Sequence, residues 1–385
     1  MRSLDELRGL IAAEDREIVG HLARRLELVL EVAHLKGRTG LSVMQPDQVS
    51  KVLDRAEAGA TDAGLSATFA RELFELIIRE ACRLESQAFA PRVQGTTAIV
   101  FGAMGTAGGI TCEWLDRAGI STTRVDLKDV EASGVVGDVL ALTPELMTAV
   151  SAADLIVLAT PSDVTHRAAE QLLVQCAPHA VVIDLLSSKT SYSELVARLD
   201  PRCAAIGLNP MFGRNIAPAN PVCLAVTYRT GSGCPDVLSA LRGAGLTVLR
   251  LADAGEHDRL CARWQALAHA ALLAFGHASR FLEAPSDPPD RAAPPPYQLL
   301  EAMVSRMLRA GPETYAEIQS MNPYAAHARS LFAAAALELA QGGSTAWNTY
   351  RDQVMTTSPG VRTEEGEGRF LLAARALIER VDQPW

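Results

Sequence analysis

Apolar residues recur along the first 38 positions at intervals of three, four and seven: Leu4, Leu7, Ile11, Ile18, Leu22, Leu26, Val29 and Val32. That period lays one apolar stripe along a helix. Ser3 and Glu6, three apart at its start, have the spacing of a capping box. Two further helical patterns follow, QPDQVSKVLDRAEA and SATFARELFELIIREACRLE. No strand-like run interrupts them, so residues 1–86 predict a small all-helical domain. QAFAPRVQGT, residues 87–96, predicts a linker.

From residue 97 the period changes. Short apolar runs (TAIVFG, TTRVDL, ADLIVLAT, AVVIDLL, CAAIGL and VCLAVTY) alternate with helical or turn-forming stretches. Alternation of this kind predicts a doubly wound, Rossmann-like α/β domain over residues 97–252. Residues 253–385 are helical again, from RLCARWQALAHAALLAFGHASRFL to YQLLEAMVSRML and beyond, with a Pro-rich loop between. Helices this apolar predict pairing with a second copy, so a homodimer is expected.

Composition narrows the class. A net charge of −9 over 385 residues lacks the basic footprint of a nucleic-acid binder. No apolar run reaches the roughly 18 residues of a membrane span. The seven cysteines are scattered and never form C-x-x-C, so neither a disulfide framework nor a metal site is signalled. MRSLDELRGL has no signal-peptide pattern, so a reduced, soluble, cytoplasmic protein is expected.

The candidate chemistry begins at TAIVFGAMGTAGG, where a strand runs into a glycine-rich turn and then a helix. Gly102, Gly105 and Gly108 are spaced GxxGxxG, one residue longer than usual in the first interval. Such glycines let the backbone approach a pyrophosphate at a helix N-terminus. Met104, Thr106 and Ala107 share that turn. TTRVDL ends at Asp126, 18 residues after Gly108, where an acid bonds a ribose 2′-hydroxyl and repels a 2′-phosphate. The cofactor expected is NAD rather than NADP. Thr160 and Pro161, which close the run ADLIVLAT, fall at the same carboxyl edge and join the cofactor-binding set.

The chain resembles the bifunctional chorismate mutase/prephenate dehydrogenases of tyrosine biosynthesis over nearly its whole length. LARRLELVLEVAHLK is similar to the long first helix of the small helical chorismate mutases. VFGAMGTAG, VIDLLSSK, GLNPMFGRN, EHD…QAL and GPETYAEI resemble successive prephenate dehydrogenase motifs in the right order. The resemblance implies three domains: mutase-like, NAD-binding, and a C-terminal helical dimerisation and substrate domain.

In the mutase half the resemblance implies that Arg8, Arg25 and Lys36 are cations gripping the carboxylates and ether oxygen of a chorismate-like substrate. Gln48 and Val49, preceded by Gln45, stand where the resemblance implies Arg-Glu, the Glu holding the C4 hydroxyl, which valine cannot do. Glu85 stands where a Gln bonds the ether oxygen, which a carboxyl could do only when protonated. A retained dimerisation scaffold with little mutase activity follows, or else a mutase for an altered substrate.

The dehydrogenase half departs in parallel. Asp163 stands where the resemblance implies a histidine that accepts the proton of a C4 hydroxyl. Asn209 replaces the His of HPMFG, and Ala268 replaces an Arg for a substrate carboxylate; Arg214 or Arg263 could compensate. Ser187 and Lys189 fall near where nicotinamide and substrate meet, with Asn209 and Ser187 orienting the ring. His257 and Asp258 are either part of the site or a buried structural pair. Asp163 itself has three readings: a helix cap, for which Ser162 also serves; a base, for which a carboxylate is weak at neutral pH unless buried; or the partner of a C4 ammonium. His166 is a substitute base. The expected activity is NAD-dependent oxidative decarboxylation of a prephenate-like cyclohexadiene, first among them 4-amino-4-deoxyprephenate. An ordinary prephenate dehydrogenase, or a lapsed homologue acting as a binding or regulatory subunit, are the alternatives.

Overall fold

The structure is a computed structural model that describes residues 2–39, 46–89, 95–128, 134–213, 221–231, 233–282, 293–309 and 312–357. The first three helices are α1 (Leu4–Thr39), α2 (Pro46–Asp62) and α3 (Ala67–Phe89). The capping box is formed: the Ser3 amide donates to Glu6 Oε2 at 2.7 Å and the Glu6 amide to Ser3 Oγ at 3.2 Å. Pro46 opens α2, where its missing N–H costs nothing. On α1 the apolar stripe divides. Leu22, Leu26 and Val29 are half-buried, whereas Leu4, Leu7, Ile11 and Ile18 are exposed.

Eight strands form one sheet: β1 (Thr97–Phe101), β2 (Ser121–Asp126), β3 (Val135–Val136), β4 (Leu155–Leu158), β5 (Val181–Asp184), β6 (Ala204–Pro210), β7 (Val222–Arg229) and β8 (Thr247–Leu251). Their order is β3-β2-β1-β4-β5-β6-β7-β8. All neighbours are parallel except β6 and β7. Every residue of β4 and β5 is buried, as strands covered on both faces require, which is why they read as unbroken apolar runs. β3 and β8 escape the sequence pattern. β3 has only two residues, and β8 is an edge strand whose Arg250 interrupts its apolar run.

Because β1 is flanked by β2 on one side and β4 on the other, the winding reverses between β1 and β4. Loops leaving the carboxyl ends there diverge to opposite faces and open a crevice, the usual ligand site of such sheets. The segment after β1 leads into α4 (Thr106–Arg117) and the segment after β4 into α6 (Ser162–Gln175), with α5 (Pro144–Ala152) between them in the chain. α7 (Thr190–Leu199) and α8 (Gly233–Gly243) complete the helices of this region.

The chain divides into two compact units, residues 1–186 with 195–252, and residues 187–194 with 253–385. The second contains α9 (Ala254–Cys261), a π-helical turn (Ala262–Ala266), α10 (Leu267–Ser279), α11 (Pro295–Arg309), α12 (Pro312–Met321) and α13 (Ala325–Thr357). Asp253 caps α9 by accepting from the Glu256 amide at 2.7 Å.

The cysteines correct the reading of the sequence. Cys176, which ends α6, and Cys203, which leads into β6, are paired as a disulfide. Neither position belongs to a recognisable spacing; the sheet brings them together. Among the described residues no helix is long and apolar enough to cross a membrane, and no group of metal-ligating side chains forms a cluster.

Candidate functional site

The glycine turn is shaped by close backbone approach. Gly102 has φ +80°, a left-handed conformation, and a Cβ there would overlap the Ala159 carbonyl of the strand β4 exit. A Cβ on Gly108 would overlap the Gly102 carbonyl. These two positions therefore need glycine for geometry. Gly105 plays another part: it is the N-cap of α4 and supplies no side-chain cap, so the first amides of the helix stay open to a ligand. Met104, Gly105 and Thr106 are exposed and Ala107 is half-buried. An uncapped helix N-terminus behind a tight glycine turn fits a pyrophosphate.

Asp126 ends β2 beside this turn. Its Oδ2 accepts from the Met104 amide at 2.9 Å and its Oδ1 from the Lys128 amide at 3.1 Å. Each oxygen keeps a further lone pair for a ribose hydroxyl. Thr160 is half-buried, and its hydroxyl meets that of Thr165 at 2.9 Å, fixing the turn into α6; Pro161 is exposed.

Asp163 lies exposed in the first turn of α6, on the crevice edge of the sheet. The N-cap is Pro161, which has no side-chain acceptor, and Asp163 follows at the second helical position. His166 Nδ1 lies 2.7 Å from the Ser162 carbonyl, which turns that nitrogen inward to the helix backbone. Asn209 is buried near the end of β6, at the same carboxyl edge.

A further carboxylate at this edge escapes sequence reasoning. Asp184 ends β5, is fully buried, and accepts from the Leu186 amide at 3.0 Å. A Cβ on Gly207 would collide with the Tyr228 hydroxyl and lie 2.9 Å from Asp184 Oδ2, so glycine there admits both polar groups. An acid closing an apolar run, as in VVID, is the signal that marks it.

Ser187, Lys189 and the His257–Asp258 pair belong to the second unit. Asp258, with no exposed surface, accepts five hydrogen bonds. These come from Ser188 Oγ at 2.9 Å, the Lys189 amide at 2.8 Å, the Thr190 amide at 2.9 Å, Thr190 Oγ1 at 2.7 Å and His257 Nδ1 at 2.8 Å. Burial alone would raise the Asp258 pKa; the hydrogen bonds from His257, Thr190 and the Lys189 and Thr190 amides outweigh it and hold it at about 2. The carboxylate thus caps α7 and fixes the Ser187–Glu194 segment onto α9. The geometry is that of a buried structural pair. Ser187 is left half-buried beside it, and Lys189 is fully buried.

Ala268 is exposed on α10, just beyond the π-helical turn, and Arg263 is exposed on that turn. Arg214 lies outside the described residues, as does Gln45. His269, the next residue, packs edge-on against Tyr315 with ring centroids 4.7 Å apart. Burial, and secondarily Arg306, lower its pKa and favour the neutral imidazole. A π-turn is a frequent mark of functional sites, and it is invisible to helical periodicity.

In the first unit α1 and α3 bring Lys36 and Glu85 together. Lys36 Nζ donates to Glu85 Oε2 at 2.6 Å, and the two side chains are only 13% and 9% exposed. Arg25 is partly buried, and among the described residues its Nη1 is enclosed without a hydrogen-bond partner. An enclosed guanidinium nitrogen without an acceptor suits an anionic ligand. Burial lowers the Arg25 pKa. Arg25 and Lys36 are eleven residues apart, close to three turns, so they share a face of α1. Arg8 is different. It is 28 residues from Lys36 on the same unbroken helix, about 42 Å at 1.5 Å per residue. One copy of the chain cannot bring Arg8 to a ligand held by Arg25 and Lys36. Gln48 is exposed and Val49 half-buried on α2.

Comparison with known proteins matches two family models to separate stretches of the chain. Residues 7–86 match the family model for chorismate mutase type II, and residues 119–220 that for the nucleotide-binding domain of prephenate dehydrogenase. The 4-amino-4-deoxyprephenate dehydrogenase of Streptomyces pristinaespiralis is 34% identical over 247 residues, 63% of this chain and 83% of that protein. The T-protein of Haemophilus influenzae is 27% identical over 327 residues, 83% of this chain and 81% of its own length. The 4-amino-4-deoxychorismate mutase of Streptomyces venezuelae is 40% identical over 82 residues, 21% of this chain and 80% of the relative.

Proposed function

Because the chain belongs to the bifunctional chorismate mutase/prephenate dehydrogenase family, we propose that it joins two successive reactions on a 4-amino substrate. The N-terminal domain rearranges 4-amino-4-deoxychorismate to 4-amino-4-deoxyprephenate. The remainder, an NAD-dependent oxidoreductase of the prephenate dehydrogenase type, converts that product to 4-aminophenylpyruvate. The observation that carries the reading is Asp163: a carboxylate exposed on the crevice edge at the position where the family resemblance implies a histidine. The similarity of each half to a relative named for the amino series supports it.

The chemistry balances without a strong base. Breaking the C1–carboxylate bond of the substrate leaves an electron pair in the ring as the C4 hydrogen departs as hydride, and the ring becomes aromatic. NAD, held by Gly102, Gly105, Gly108, Asp126 and the Thr160–Pro161 turn, supplies the hydride acceptor when bound. Asp163 pairs with the C4 ammonium and fixes the ring. Aromatisation turns an alkylammonium into a much stronger acid, an arylammonium, whose proton a carboxylate is suited to accept. An exposed carboxylate that could not serve as base for an alcohol is matched to this role. Asn209 orients the ring.

The same reading divides the chain at residues 86, 96 and 252 and makes it a homodimer. The exposed stripe of Leu4, Leu7, Ile11 and Ile18 lies on the half of α1 that carries Arg8. A second copy covering that stripe would bring its Arg8 to the Arg25–Lys36 end of the first. A biosynthetic enzyme that draws on NAD fits the cytoplasm.

The test is turnover against a panel. NADH formation is followed with prephenate, arogenate and 4-amino-4-deoxyprephenate, and diene rearrangement with chorismate and 4-amino-4-deoxychorismate in the absence of NAD. Preference for the amino compound in both halves is expected; preference for prephenate would overturn the reading.

A further inference from the structure

We propose that Glu85 selects the amino substrate in the N-terminal domain by pairing its carboxylate with the C4 ammonium while Lys36 holds the neighbouring ether oxygen. This inference rests on the reading of that domain as a mutase of the amino series and names the residue that gives it specificity.

The argument begins with charge. Among the described residues of this domain, the enclosed polar groups include two cations, Arg25 and Lys36, and one carboxylate, Glu85, whose Oε2 lies 2.6 Å from Lys36 Nζ. A ligand with two carboxylates and no cation gains from Arg25 and Lys36 but is repelled by Glu85. A ligand with two carboxylates and an ammonium complements all three. Glu85 Oε2 already faces one cation, Lys36 Nζ, at 2.6 Å.

Geometry carries the same conclusion. In chorismate and its amino analogue the ether oxygen and the C4 substituent sit on adjacent ring carbons. A side chain that reaches one is therefore within reach of the other. A C4 hydroxyl offers such a carboxylate one neutral hydrogen bond, whereas a C4 ammonium offers it a full positive charge as well. With an ammonium at C4, Lys36 donates to the ether oxygen and Glu85 accepts from the adjacent nitrogen. Lys36 uses Glu85 Oε2, and Oε1 is the oxygen we assign to the ammonium. Val49, which offers no acceptor, leaves the C4 position without help from α2, so the burden falls on Glu85.

The test compares Glu85→Gln and Glu85→Asp in the full-length protein without NAD, reading kcat/KM for 4-amino-4-deoxychorismate and for chorismate. The ratio of the two values cancels the fraction of folded enzyme. Glu85→Gln should lower the ratio at least about tenfold, the size of one contact to a charged group. Glu85→Asp, which keeps the charge, should retain the amino preference. If loss of the buried pair prevents Glu85→Gln from folding, Glu85→Asp decides alone: a folded Glu85→Asp protein without amino preference overturns the assignment. A wild type that rearranges the amino substrate, with a ratio unmoved by Glu85→Gln, overturns the role of Glu85 but leaves the proposed function standing. A wild type inactive on the amino substrate overturns both.

Discussion

Asp126 Oδ2 accepts the Met104 amide at 2.9 Å, tying the acid that ends β2 to the exposed lip of the glycine turn after β1. The carboxylate that reads the ribose also holds the loop that receives the pyrophosphate. Asp126→Ala should therefore weaken NAD binding and narrow the preference for NAD over NADP. Calorimetric titration of both cofactors checks this. A wild type that binds NADP more tightly would remove Asp126 from the cofactor site.

Gly102→Ala should be severe, because φ +80° and the Ala159 carbonyl both oppose a side chain there. Strain of about 1–3 kcal/mol is the expected scale. Gly105→Ala should be mild in stability, since a Cβ there would come no closer than 3.3 Å, to the Gly102 carbonyl. Thermal melts of the two variants order them; equal melting would contradict the close approach described.

Asp258 titrates at about 2 in the folded protein, below the roughly 3.9 of an unfolded aspartate. A depressed folded value means stability that is complete above the unfolded value and is lost as pH falls through the folded one. The contribution is on the order of 2 to 3 kcal/mol at neutral pH. Asp258→Asn should cost stability at pH 7 and show a smaller further loss than wild type between about pH 4 and 2. Denaturant titrations at several pH values give that difference; parallel curves would contradict it.

Chorismate should be a poor mutase substrate even for the full-length protein. Gln48 and Val49 remove a cation and an acceptor for the C4 hydroxyl, each lost contact being worth about 1.5–3 kcal/mol. Rearrangement roughly a hundredfold or more slower than for 4-amino-4-deoxychorismate is expected. Diene absorbance without NAD measures it, and equal rates would contradict it.

What was legible in the sequence was what is encoded locally. The Ser3–Glu6 box, the period of α1, the buried runs of β4 and β5 and the glycines of the turn all follow from neighbouring residues. What was hidden depends on tertiary placement. Cys176 and Cys203 are 27 residues apart and meet only because the sheet sets β6 beside β5. Asp258 serves α7, about 70 residues earlier in the chain, so its hydrogen bonds leave no spacing to read. The contact of His269 with Tyr315 requires α12 to fold back beside α10. The separation of Arg8 from Lys36 was present in the sequence, but only an unbroken helix turns 28 residues into a length.

The role of Asp163 is the centre of the account, and Asp163→Asn tests it most directly. Asparagine keeps the size of the side chain and removes only the charge, so folding and NAD affinity should be unchanged. A positioned proton-accepting group contributes typically 10²–10⁴-fold, so NADH formation from 4-amino-4-deoxyprephenate should fall by about that factor. Asp163→His should in turn raise activity on prephenate relative to the amino compound. If Asp163→Asn forms NADH from 4-amino-4-deoxyprephenate at the wild-type rate, the pairing of Asp163 with the substrate ammonium is wrong.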